Sequence, residues 1–96
     1  MEATFKIHIN PAYADGVDRG YVELSLAAND TVEWVNEDGV TGPSQIVFGH
    51  GTPFSKGAFD VPTGPLMPSK KKSPKHYQYS VICGEEFRDP GLGVRA

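Results

Sequence analysis

Apolar residues recur at every second position in short runs, and turn-forming pairs end those runs after a few residues. A strand sends alternate side chains to opposite faces, so this period marks half-buried strands rather than helices. Phe5, Ile7 and Ile9 alternate with Lys6 and His8, and Val22, Leu24 and Leu26 alternate with Glu23 and Ser25. Val32 and Trp34 share a face opposite Glu33, and Ile46 and Phe48 follow a Gly-Pro turn. Later, Tyr77, Tyr79, Val81 and Cys83 point one way, and His76, Gln78, Ser80 and Ile82 the other. Leu92 to Arg95 reads as a final short strand. The pairs Asp15-Gly16, Arg19-Gly20, Asn29-Asp30, Asp38-Gly39 and Gly42-Pro43 supply the turns. The one helix candidate, Asn10–Val17, is short and bounded by glycine. Six to eight short strands with turns every several residues predict a small all-β, antiparallel sandwich or barrel.

Length and composition narrow this further. A chain of 96 residues makes one domain with a modest core and has no room for a second, substrate-binding unit. Eleven Gly and eight Pro make up 19 of the 96 residues, about 20%, which suits tight turns and leaves little space for long helices. Four of each fall between Gly49 and Pro68, predicting a long irregular connection with one strand near Phe59–Val61. Phe54, Phe59, Leu66 and Met67 in this connection either cap the core or form an apolar contact patch, with Phe54 the candidate for partner contact. There is no internal repeat.

The formal charge is −3, a poor balance for a nucleic-acid module. Lys70, Lys71, Lys72 and Lys75 place four positive charges in one segment, leaving −7 on the rest (−3 − 4). Between strands such a run protects a sheet edge from pairing, or it forms a patch that docks an acidic partner and speeds encounter. Interleaved aromatics and an amphipathic helix, which RNA or membrane contact would use, are missing from it. One cysteine excludes an intramolecular disulfide. No apolar run is long enough to span a membrane. The opening Met-Glu-Ala-Thr-Phe-Lys lacks the pattern of a secretory leader, which predicts a cytoplasmic protein, or an extracytoplasmic one if Met1 stands where a leader was removed.

Three segments resemble the cupredoxin-like fold of plastocyanin and azurin. Asp30-Thr31-Val32-Glu33-Trp34-Val35-Asn36-Glu37-Asp38 is similar to the family's D-x-V-x-W-x-N-x-D strand. Gly42-Pro43-Ser44-Gln45-Ile46-Val47-Phe48 stands where the family has Pro-His-x-Val, and Tyr77-Gln78-Tyr79-Ser80-Val81-Ile82-Cys83 resembles the strand that delivers the copper thiolate. With Phe5–Ile9 first and Leu92–Arg95 last, the resemblance spans nearly the whole chain and implies a Greek-key sandwich. A blue-copper site needs two imidazoles, a thiolate and usually a weak thioether. By the resemblance Cys83 takes the thiolate position and Ser44 the place of the first histidine. Gly84 to Leu92 carries neither the His nor the Met that should follow. The ending Asp89-Pro90-Gly91-Leu92-Gly93-Val94 resembles copper-free members. The resemblance therefore implies the scaffold without its blue-copper centre, and no cofactor.

The other candidate groups are sparse. His8 should face solvent on the first strand, and His76 lies roughly 23 Å along the chain from Cys83 on an extended strand. His50, between Gly49 and Gly51, reads as an exposed loop histidine, and Cys83 as a small buried apolar residue. The alternative is a mixed metal site of Cys83 and His50 with Glu86, Glu85 or Asp89. Glu85 and Glu86 lower the prospect of a reactive thiol, and being adjacent they are poor acid–base partners. No hydrolase elbow, zinc-protease or phosphate-loop motif occurs, which leaves a Cys83/His50 nucleophilic pair as the only enzymatic option. The sequence thus predicts a non-enzymatic protein-binding or accessory domain, or a small subunit of an assembly, that meets another protein through Lys70, Lys71, Lys72, Lys75 and Phe54. The alternative is a metal or electron-transfer protein with a non-standard site at Cys83.

Overall fold

The computed structural model describes residues 3–96. Nine strands form: β1 (Thr4–Ile9), β2 (Tyr21–Ser25), β3 (Thr31–Asn36), β4 (Ser44–Val47), β5 (Ala58–Asp60), β6 (His76–Gln78), β7 (Ser80–Cys83), β8 (Glu86–Arg88) and β9 (Gly91–Arg95). They group as β1-β3, β2-β9-β6 and β5-β4-β7-β8. The all-β sandwich is as predicted. No helix occurs among the described residues, and none is long and apolar enough to cross a membrane.

The antiparallel expectation needs one correction. β1 pairs with β3, and β2 with β9, in parallel; the other four ladders are antiparallel. A parallel pair needs a crossover. Between Ile9 and Thr31 the chain supplies one, because β2 leaves to join the C-terminal strand. The Asn10–Val17 helix does not form. Asn10 accepts from the Tyr13 amide and its side chain from the Ala12 amide, so the segment folds as consecutive turns closed by Asn10 N–H to the Gly16 carbonyl.

The expected single strand from Tyr77 to Cys83 is two strands, for a reason visible in the register. His76↔Gly93, Tyr77↔Leu92 and Gln78↔Gly91 continue without a slip into Val81↔Arg88, Ile82↔Phe87 and Cys83↔Glu86. One long hairpin runs through both. Its ladder breaks where Tyr79 faces Pro90: the Tyr79 amide donates to the Pro90 carbonyl at 3.2 Å, and proline has no N–H to return. Here the hairpin turns a corner, and its halves enter different sheets. β8, which the sequence did not announce, is the near half of the returning arm.

The inward-facing residues are those that the alternation selects. Ile7, Ile9, Val22, Leu24, Val32, Trp34, Ile46, Val81, Leu92 and Val94 are all buried. The irregular connection caps this core: Phe54 is only 2% exposed and packs edge-on against Trp34, Phe48 and Phe59. Phe54 therefore cannot meet a partner from the surface, and its assignment to partner contact is corrected. The same connection is tied to β3 by a reciprocal pair of backbone bonds between Val32 and Leu66.

Trp34 Nε1 donates to the Tyr79 hydroxyl at 3.2 Å inside this core. Burial pushes the Tyr79 phenol well above its ordinary value of 10.0, outweighing the Trp34 bond that favours the phenolate. An unfolded tyrosine ionises near its ordinary value, so this group stabilises the fold below about pH 10 and loses that contribution as the pH rises further. Tyr79→Phe should leave the indole N–H unpaired and cost about 1–3 kcal/mol in urea unfolding at neutral pH. The variant should also show a shallower loss of stability above about pH 10 than the wild type.

Candidate functional site

In the register Ser44 lies opposite Cys83, and Cys83 opposite Glu86, so the three side chains share the inner rim of the four-stranded sheet. Cys83 is a half-buried free thiol. Ser44 is buried, and its hydroxyl donates to Asn36 Oδ1 at 2.7 Å while Asn36 Nδ2 donates to the Gly42 carbonyl. Glu86 is exposed and pairs with Arg88 at 3.6 Å. Between Cys83 and Glu86 only Gly84 and Glu85 intervene. A two-residue hairpin needs a residue at positive φ, and Gly84 provides it at 63°.

No imidazole reaches this rim. His50 follows the other end of β4, where Val47 faces Ser80. The strand length alone separates that end from Ser44 by about 10 Å. His8 Nδ1 lies 3.1 Å from Asp18, and the His76 ring packs at 5.5 Å from Tyr21. Asp89 accepts from the Ser80 hydroxyl at 2.8 Å, near His50 rather than Cys83. The structure thus brings Cys83 and Glu86 together but not His50, and no group of three or more metal-ligating side chains occurs among the described residues. A thiol flanked by a hydroxyl and a carboxylate, with no imidazole, does not fit a blue-copper centre.

The lysine segment lies at the opposite end of the sandwich. Ser69 pins it: its amide donates to the Pro53 carbonyl, and its own oxygens accept from the Lys71 and Lys72 amides. The far side is pinned by the Tyr77 hydroxyl donating to the Ser73 carbonyl at 2.7 Å. Lys70, Lys71, Lys72 and Lys75 are all exposed, and none takes part in an ion pair among the described residues. Lys71, Lys72 and Lys75 line a shallow groove of about 230 Å³ with Thr52 and Tyr77. Lys75 Nζ sits 5.1 Å above the Tyr77 ring. The segment leads directly into β6, an edge strand. Thr52 was not singled out from the sequence, and Tyr77 was read only as an inward strand residue, although the alternation that places it inward also puts its ring beneath Lys75.

No family model and no curated protein matches the chain. Among solved structures, a pseudoazurin from Sinorhizobium superposes with a TM-score of 0.63 at 18% identity, covering 100% of this chain and 76% of that one. The fold is cupredoxin-like. At this identity the likeness concerns the scaffold, and the donor set at its rim is that of this chain's own residues. Added copper(II) should therefore give no intense visible thiolate-to-copper band, and Ser44→His should not create one, because the two-residue turn after Cys83 offers no second imidazole. An intense band in the wild-type protein that disappears in Cys83→Ser would contradict this.

Proposed function

We propose that the chain is a non-enzymatic protein-binding domain that docks an acidic partner through Lys70, Lys71, Lys72 and Lys75. The observation that carries this is the separation of charge. The four lysines, unpaired among the described residues, lie exposed at one end, while Asp38, Glu85 and Glu86 lie in or beside the turns around Ser44 at the other. Such a dipole orients the molecule during encounter and raises the association rate with a complementary surface. Fixing the lysine backbone through Ser69 and Ser73 lowers the ordering cost of binding.

The non-enzymatic part rests on the concavities. The cleft beside His50 and Asp89 is about 190 Å³, and those at the lysine end and beside Ser44 are each about 230 Å³. All are smaller than the roughly 300 Å³ at which small-molecule sites begin. The Ser80 hydroxyl is spent on Asp89 rather than aimed at a histidine.

Retention on immobilised polyglutamate measures this directly. The wild-type protein should bind with an affinity that falls steeply with salt. The triple variant Lys70→Glu, Lys71→Glu, Lys72→Glu should lose on the order of tenfold or more. Its stability should stay within about 0.5 kcal/mol, since these side chains are exposed and unpaired. Undiminished retention of the triple variant would sink the proposal, and tighter retention on polyuridylate than on polyglutamate would redirect it to nucleic acid.

A further inference from the structure

Phe87 is the most exposed large apolar side chain named among the described residues, at 65%, and it sits at the centre of an edge strand. Its backbone matters as much as its ring. In an antiparallel ladder, hydrogen-bonded and non-bonded pairs alternate. The bonds from Tyr79 N–H to the Pro90 carbonyl and from Val94 N–H to the Lys75 carbonyl fix that alternation along the long hairpin. Val81–Arg88 and Cys83–Glu86 are therefore bonded pairs, and Ile82–Phe87 is not. The Phe87 N–H and C=O point away from β7, to the open side. Two positions of the same parity further on, at Gly91, the outward N–H is taken by the Gly20 carbonyl. At Phe87 no backbone partner among the described residues takes it, and the carbonyl is met there only by the Arg88 side chain at 2.9 Å.

The residues around Phe87 say what fits there. Glu86-Phe87-Arg88 is its own complement when read in the opposite direction. Two such strands, set antiparallel about a two-fold axis through Phe87, put Glu86 against Arg88 of the other copy twice over. With Phe87 facing Phe87 as the bonded pair, both charge pairs fall at non-bonded positions, where side chains come closest. On the outer face the two Phe87 rings meet beside Ile82 of each copy.

We propose that β8 is a self-association edge. Two copies join β8 to β8 through the Phe87 N–H and C=O groups and two reciprocal Glu86–Arg88 pairs, making one eight-stranded sheet from two four-stranded ones. The contact is isologous and closes at two copies. A three-residue edge buries little, so association belongs in the micromolar-to-millimolar range. The lysine end is not involved, so this contact and acidic docking succeed or fail separately.

Sedimentation velocity across that concentration range tests it. The wild type should pass from monomer to dimer. Glu86→Arg and Arg88→Glu should each weaken dimerisation by on the order of tenfold, since each sets like charges opposite one another twice. An equimolar mixture of the two variants should form heterodimers, and the doubly exchanged protein E86R/R88E should recover wild-type association. Phe87→Pro removes the exposed ring and an N–H that β7 does not use, so circular dichroism should show the fold retained while the dimer is lost. A monomer at every concentration overturns the proposal, as does a dimer indifferent to the single reversals. If Phe87→Pro unfolds the chain, the charge-exchange series alone decides.

Discussion

The bond from Trp34 to Tyr79 joins parts of the molecule that the backbone alone leaves separate. Trp34 belongs to β3, whose one strand partner is β1 and whose bridge at Val32 runs to Leu66 of the irregular connection. Tyr79 sits at the corner where the long hairpin passes from one sheet to another. Both side chains are fully or almost fully buried, and their rings lie 5.3 Å apart and nearly perpendicular. Phe48, just beyond β4, packs against both. One aromatic cluster thus ties all three sheets, adding edge-to-face attraction to a large apolar burial. The hydrogen bond makes the arrangement directional: any other docking of β3 against the corner strands a buried indole N–H.

The corner in turn decides what the two ends of the sandwich can hold. Pro90 breaks the ladder opposite Tyr79, so β6 and β7 diverge into different sheets while keeping one register. The lysine segment enters at the β6 end, and Cys83 leaves at the β7 end. A ligand-bearing loop after Cys83 would have to open the hairpin there. Instead Gly84 and Glu85 close it in the shortest possible turn, and the next residues are committed to pairing with β7. Ser44, across from Cys83, is held by Asn36. At this rim the Ser44 hydroxyl is committed to Asn36, and the residues after Cys83 are committed to the hairpin.

Most of the fold was legible because burial and alternation coincide. Apart from the Tyr77–Cys83 run, which the corner at Tyr79 and Pro90 divides between two sheets, each run of period two became a strand within a residue or two, and the motif from Asp30 to Asn36 has a structural task at nearly every inward position. Asp30 accepts from the Ala3 and Ser25 amides, Val32 and Trp34 fill the core, and Asn36 holds Ser44. That motif carries the scaffold whether or not metal is bound, which is why it identifies the fold and not the activity. Three things were not legible. Parallel pairing of β1 with β3 depends on where β2 goes, a choice made by the C-terminal strand far away in sequence. The burial of Phe54 depends on how a loop without periodicity folds back onto Trp34. The strand β8 is three residues long and its alternation is inverted, with apolar Phe87 facing outward and charged Glu86 and Arg88 on the inner side.

Exposure of Phe87 and freedom of the lysines share a physical feature that the core lacks. A buried residue is chosen by its neighbours within the chain, so its identity can be explained from the chain alone. Among the described residues Phe87 and Lys70–Lys72 have no such internal justification: the ring touches little, the ammonium groups balance no carboxylate, and the outward Phe87 amide completes no ladder. Lysine beside β6 blunts that edge against pairing, as edge strands commonly require. β8 carries no lysine and no proline; it carries one charge of each sign, spaced to neutralise its own image. A chain that guards one edge with like charges and furnishes another with self-complementary ones treats these two edges differently. The first repels copies of itself while remaining open to acid, and the second is built to accept a copy.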